Sequence, residues 1–340
     1  MSTPTPAFVA ELVSQLSCPV DGSRLSPPEG FLPTGVPWED GALVSEGGRR
    51  YPIRGGILRM VEHDDYAESF GVQWRRYAQT QLDSYTGVPL SRRRLERCLG
   101  ADLSSLAGKR VLELGSGAGR FTECLIESGA HLVSADLSAA VDANLRNCRG
   151  TRPYVLIQTD INSAPFPRDY FDVVFCLGVI QHTPDPEETI RSLAAFVRPG
   201  GELVIDHYGY GAHRLSQYFS LVYPVREVLK RAPPDTALRA TIALTALCDP
   251  IRRHTCKVPL LDKVAARLLP TACYYARYPE LDPTTAYEWN ELDTHDMLTE
   301  SFKHRRSPEE IEAALVQVGL EPLAITAEGN GVEARARRPA

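Results

Sequence analysis

Between Lys109 and Val204, short apolar runs alternate with stretches of helical periodicity. RVLELGSG is followed by a helix near 119 to 129, HLVSADLS by a helix near 138 to 148, and YVLIQTDI and FDVVFCLGV by a helix near 186 to 197, before GELVIDHY. Alternation of this kind specifies a parallel sheet with helices on both faces. In open sheets of this type, ligands sit beyond the carboxyl ends of the strands, where the strand order reverses. Functional residues are therefore expected in the loops that follow the strands.

The rest of the chain divides around this core. Residues 1–62 are rich in Pro and Gly, with turn signals at Asp21-Gly22, Pro27-Pro28 and Gly47-Gly48, and predict a small β-rich module. Over 63–107 a helical entry segment is expected, because Tyr66, Phe70, Trp74 and Tyr77 share one face of a helix. Residues 207–302 show no convincing strand, but the spacing of Leu261, Val264 and Leu268, and of Leu238, Ile242 and Leu247, is helical. A helical insertion after the fifth core strand, forming a lid over substrate, is the expectation. In 303–340, Ser307-Pro308-Glu309-Glu310 opens a helix that ends at Gly319, and two strands surround Gly329-Asn330-Gly331. Residues 108–206 are the core itself.

Composition narrows the function. With 37 basic and 43 acidic side chains among 340 residues, the net charge of −6 gives no long-range pull toward polyanions and argues against nucleic acid. No uncharged stretch reaches the roughly 18 apolar residues of a bilayer span, and the start lacks a basic n-region, so a cytoplasmic protein is expected. The eight cysteines are scattered singly, which reads as reduced thiols. Nothing in the sequence speaks to oligomeric state.

The first strand ends in Val111-Leu112-Glu113-Leu114 and runs into Gly115-Ser116-Gly117-Ala118-Gly119-Arg120. Glycines let backbone turn sharply and approach a ligand closely. A dinucleotide loop would carry Gly where Arg120 stands, and a phosphate loop would carry Lys followed by Ser or Thr. An acid two residues before the first glycine suits a ligand with an ammonium group rather than a pyrophosphate. S-adenosylmethionine has an ammonium, a sulfonium and no phosphate. Asp136 ends the second strand, where a carboxylate can accept from both ribose hydroxyls, and Asp160 ends the third, where it can accept from an adenine amino group with Ile161 and Phe166 packing on the ring.

VLELGSGAGR, SADLS, QTDINSAPF and FDVVFCLGVIQHTPDPEETIRSLAAFVRPGGELVI resemble, in order and spacing, the blocks of class I S-adenosylmethionine-dependent methyltransferases over about 108–206. The resemblance implies a Rossmann-like doubly wound α/β sheet. It also implies S-adenosylmethionine as cofactor. By position it assigns Glu113, Gly115, Gly117 and Gly119 to the methionine end, Asp136 to the ribose, and Asp160 with Ile161 to the adenine, with Ser116 and Leu137 also binding the cofactor. Leu177 and Gly178 would flank the methyl group. FGVQWRRYAQTQLDS and EWNELDTHDMLTESFKHRRSPEEIEAAL resemble a bacterial subgroup that accompanies specialised-metabolite and surface-sugar gene sets, although its usual DTFDWL is Asp293-Thr294-His295-Asp296-Met297-Leu298 here. The front module, LSCPVDGSRL with RRYPIRGGILRMV, resembles the zinc-ribbon-like domain of activator subunits of tRNA and protein methyltransferases. Metal-binding versions carry CxxC, whereas Cys18 is followed by Pro19, Val20 and Asp21, so a metal-free remnant packed on the catalytic domain is expected.

Methyl transfer mainly requires alignment and exclusion of water, with a base only where the nucleophile must lose a proton. His182, just past the fourth strand, is the leading base; His207 and Tyr208, after the fifth, follow it as catalytic candidates. Trp74, His213, His295 and Arg305 are expected to meet substrate. Of the basic runs, Arg92-Arg93-Arg94 reads as a solvated helix face and Lys303-His304-Arg305-Arg306 as pocket. The expected activity is methylation of a small-molecule acceptor, a sugar or specialised metabolite. RNA and a lipid-linked substrate are the alternatives, the latter because the insertion mixes apolar helices with basic residues.

Overall fold

A computed structural model describes residues 6–27, 38–61, 73–74, 76–150, 152–210, 220–329 and 331–340. Its centre is five parallel strands: β5 (Arg110–Leu114), β6 (His131–Asp136), β7 (Val155–Gln158), β8 (Phe171–Cys176) and β9 (Val197–Tyr208). They lie in the order β7-β6-β5-β8-β9, so the chain reverses direction across the sheet between β5 and β8. This is a Rossmann-like doubly wound sheet with its switch point at β5/β8. Both faces are covered, which is why these strands read as nearly unbroken apolar runs: Val111, Leu112, Val133, Ala135, Leu156, Val174 and Leu203 have no exposed surface. Beyond β9 lies the hairpin of β10 (Glu321–Thr326) and β11 (Gly331–Arg337), with β11 antiparallel to both neighbours. The helix Pro308–Gln317 before it opens on a reciprocal capping box between Ser307 and Glu310.

The front residues do not form a unit apart from the core. After a helix at Pro6–Gln15, the strands β1 (Leu25–Ser26), β2 (Gly41–Ser45), β3 (Arg50–Arg54) and β4 (Ile57–Arg59) make an antiparallel meander, and β4 pairs in parallel with β7 through Leu58–Ile157 and Arg59–Gln158. The result is one eleven-stranded sheet. The boundary expected at residue 62 is therefore not a break in the sheet. The turn after Cys18 is closed by Gly22 N donating to Cys18 O, with the Asp21 carboxylate capping Ser23, while the Cys18 thiol lies 3.1 Å from the Tyr51 hydroxyl in the core.

The entry segment is described only in part. Residues 62–72 and 75, including Tyr66 and Phe70, fall outside the described residues; beyond them stand two helices, Asp83–Thr86 and Leu90–Leu99. Gly87 at φ 68° ends the first, and Pro89 has no N–H to continue it. The insertion is helical as expected, with helices at Val222–Leu229, Pro234–Thr255, Pro259–Leu268 and Pro283–Thr299. Three of them start on a proline, where the missing N–H costs nothing. The helix Pro283–Thr299 is wedged between the carboxyl edge of the sheet and the helix Pro234–Thr255, so its two sides have different partners.

Candidate active site

A cavity of about 470 Å³ opens at the carboxyl ends of the strands, over the β5/β8 switch point. Its floor is the Gly115–Ala118 turn after β5, the Asp136–Ser138 turn after β6, and Leu177–Val179 after β8. Trp74, Tyr274, Tyr278 and Trp289 form the roof. They belong to a small apolar cluster in which Tyr77, Leu90 and Leu281 join the entry segment to the insertion.

The Asp136 side chain lines this cavity and accepts from Gly117 N at 2.8 Å, Ser138 N at 2.8 Å and the Ser138 hydroxyl at 2.7 Å, which fixes both turns around one carboxylate. The Gly115 turn is tight for a reason inside the protein. A Cβ on Gly115 would stand 2.1 Å from a Val179 methyl, and φ is +81°. Gly117 instead faces the cavity under Trp74, where a Cβ would touch the indole at 3.4 Å. Ser116, Leu137, Ile161, Leu177 and Gly178 also line it.

Other candidates lie elsewhere. Glu113 is buried beneath the turn and does not line the cavity; Thr122 and Ser134 each donate to its Oε2 at 2.7 Å. Burial pushes its carboxyl up to about 7. Gly119 packs against Cys148 and Asn144 rather than against the cavity. Asp160 caps a short 3₁₀ turn by accepting from Asn162 N, and of the three acids expected to share one pocket Asp136 alone lines it. Phe166 is in the core against Phe171 and Phe196. His207 points away because successive residues of a strand face opposite sides: Asp206 and Tyr208 face the cavity side, while the His207 ring, held near its own backbone and depressed to about 4 by burial, lies outside the lining. His295 faces the helix Pro234–Thr255, 3.1 Å from the Thr241 hydroxyl. His213 lies outside the described residues.

His182, Tyr208, Trp74 and Arg305 do line the cavity. His182 Nδ1 stands 2.9 Å from Glu300 Oε2, its ring meets the Tyr208 ring edge to face at 5.3 Å, and the Tyr208 hydroxyl reaches Asp296 at 3.5 Å. Lys303 donates to the other oxygen of Glu300 and sits over the Tyr208 ring. Burial opposes protonation of His182, but Glu300 and Asp296 outweigh it and raise the imidazole above its ordinary value. Ligand atoms of His182, Asp296 and Glu300 lie within 4.8 Å of one another. The imidazole and the Lys303 ammonium already supply the positive charge that a metal ion would bring to these carboxylates, so the cluster is suited to holding and moving a proton.

Several residues at or beside the cavity have no site role assigned from sequence. Asp293, Asp296 and Glu300 fall at i, i+3 and i+7, a pattern that could have marked one acidic face of the last insertion helix. Arg94, read as solvated, is largely withdrawn from solvent, its side chain 11% exposed, and ion-paired with the fully buried Asp206, whose other oxygen accepts from Gly178 N. Arg120 lies between the Phe121 and Trp289 rings, donates to the Ser91 hydroxyl and to Gln81 Oε1, and makes no ion pair among the described residues. Its burial and the nearby Arg94 lower the guanidinium to about 10. The Gln181 side chain is buried beside His182 with neither amide atom bonded, and Gln73 Oε1 and Arg94 Nε are likewise unbonded. Buried polar atoms left unpaired beside a cavity point to a polar ligand.

The methyltransferase domain family model matches residues 112–205. That segment runs from β5 into β9 and holds the cavity-lining turns after β5, β6, β7 and β8. Curated relatives include ubiquinone biosynthesis O-methyltransferases from Stutzerimonas stutzeri, 35% identical over 29% of this chain and 44% of that protein, and from Aromatoleum aromaticum, 29% identical over 39% and 57%. The chain spans about half the length of the curated relatives it matches. A solved magnesium protoporphyrin IX methyltransferase from Synechocystis PCC 6803 aligns with 81% of this chain and 97% of its own at 15% identity and a TM-score of 0.42. Among the described residues no helix is long and apolar enough to cross a membrane.

Proposed function

We propose that this chain is an S-adenosylmethionine-dependent methyltransferase that methylates a hydroxyl of a small-molecule acceptor, a sugar or specialised metabolite. The observation that carries this reading is the cavity at the switch point, with Asp136 on the β6 side and the His182–Glu300 pair on the β8 side. The donor set fits the cofactor: a carboxylate that can accept from vicinal hydroxyls, apolar walls at Leu137, Ile161 and Leu177, an unbonded amide oxygen at Gln73 and an unbonded side-chain amide at Gln181. The domain match and the O-methyltransferase relatives support the same class, and the relatives favour oxygen as the acceptor atom.

When bound, the cofactor supplies a methyl group on an activated sulfonium. The chain's own residues do the rest. Asp136 and the Gly115–Ala118 turn hold the nucleoside end, and the aromatic roof keeps water out of the cavity. His182 accepts the proton of the acceptor hydroxyl, Glu300 holds its ring in place through Nδ1, and Asp296 with Tyr208 stabilises the imidazolium that results. Arg120 and Arg305 offer an acidic acceptor group a place to bind. Incubation with methyl-labelled S-adenosylmethionine and a panel of hydroxylated sugars and metabolites is expected to yield a labelled small-molecule product that is lost with His182→Ala. Label appearing only in RNA would replace the acceptor class and keep the cofactor.

A further inference from the structure

Ten of the fourteen exposed large apolar side chains among the described residues fall between Leu221 and Leu268. The helix Pro259–Leu268 is the extreme case. Its only buried residue is Ala265, while Leu260 is 72% exposed and Leu261, Val264 and Leu268 are about half exposed. At the helical turn per residue these four fall within an arc of about 100°. The apolar stripe that marks the helix in the sequence therefore faces solvent rather than the core. Leu221 and Leu247 extend the surface on adjoining elements: Leu221 N donates to Arg267 O at the end of this helix, and Arg252 of the helix Pro234–Thr255 pairs with Asp262 at its start.

Charge tells what covers such a face. Residues 221–268 carry nine Lys or Arg against four Asp or Glu, a balance of 9 − 4 = +5 within a chain of −6. Lys263 and Arg267 border the stripe, Lys257 precedes the helix, and none of the three makes an ion pair among the described residues. A second copy related by a two-fold axis would set this positive face against itself. An anionic lipid surface complements both its apolar and its basic character.

We propose that this face docks the protein on an anionic bilayer, with the helix Pro259–Leu268 lying in the interface, its leucines toward the acyl chains and Lys263 and Arg267 among the headgroups. Lys263 and Arg267 line a second hollow together with Met297, Lys303 and Arg305, which also line the cavity, so docking would bring the cavity to acceptors dissolved in or tethered to the membrane. The test is co-flotation of the full chain with vesicles of phosphatidylcholine containing about one-third phosphatidylglycerol, beside pure phosphatidylcholine vesicles. The protein is expected to float with the anionic vesicles only, and to be released by salt. The double variant Leu261→Asp/Val264→Asp, changed at exposed positions, should lose binding by about tenfold or more while keeping S-adenosylhomocysteine affinity, and Lys257→Glu/Lys263→Glu should weaken binding and flatten its salt dependence. No flotation of the unchanged protein at low salt overturns the proposal, as does undiminished binding of the double aspartate variant. A vesicle-free dimer that this variant dissociates also overturns it, assigning the face to self-association.

Discussion

In the sheet, β5 to β9 bury most side chains on both faces, and the turns after β5 and β6 converge on one carboxylate, Asp136. In the insertion, the helix Pro259–Leu268 buries one alanine and leaves its leucines in solvent, while the helix Pro283–Thr299 sends Asp296 into the cavity and His295 away from it. The comparison separates two kinds of constraint. The sheet is fixed by patterns a few residues long, so its function is local and lies at strand ends. The insertion takes its role from what each helix face meets, so its function depends on partners distant in sequence.

Breaking this division of labour should produce effects of descending size. His182→Ala is expected to lower kcat by about 10²- to 10³-fold with cofactor affinity unchanged, read by turnover and by calorimetry on the same preparation. A matched loss of affinity would remove the proton-accepting role. Gly115→Ala attacks the sheet side instead. Its methyl cannot avoid Val179, and with the left-handed φ the cost should be about 3 kcal/mol of stability by denaturant unfolding. A neutral result would show that the β5 turn is less tightly determined than the packing implies.

The insertion is probed by Glu300→Gln. Glu300 raises His182, and the proposed base would work only when neutral, so activity should climb as pH passes the imidazole's raised value. Removing the carboxylate should move this acidic limb to lower pH in the pH–kcat profile; an unmoved limb would detach Glu300 from His182. The smallest effect is expected at Glu113. Its folded carboxyl is raised from the ordinary 4.5 to about 7, so the stability it contributes is complete below 4.5 and lost as pH rises through 7. Glu113→Gln should remove that part of the decline in melting temperature between these values, and an identical slope in both proteins would contradict the burial argument.

How much of this is legible in sequence follows the same line. The order of strands, the helical insertion and the final hairpin can all be read, because each depends on short-range periodicity and on turn residues such as Ser307 and Gly319. Asp136 and His182 can be read because a strand end at the switch point has a predictable place. Glu113 and Asp160 share that logic yet are satisfied by Thr122 and Ser134, and by Asn162, inside the protein; strand position fixes where an acid stands but not which partner takes it. The pairing of β4 with β7, the pairing of Arg94 with the buried Asp206, and the meeting of His182 with Glu300 over more than a hundred residues have no local signature at all.

The most direct test of the central claim is calorimetric titration of the purified protein and of Asp136→Ala with S-adenosylhomocysteine. The account predicts saturable one-to-one binding to the unchanged protein, weakened about tenfold or more by the substitution because a charged hydrogen-bond acceptor for the ribose is lost. Absence of saturable heat, or equal affinity in the two proteins, would contradict it.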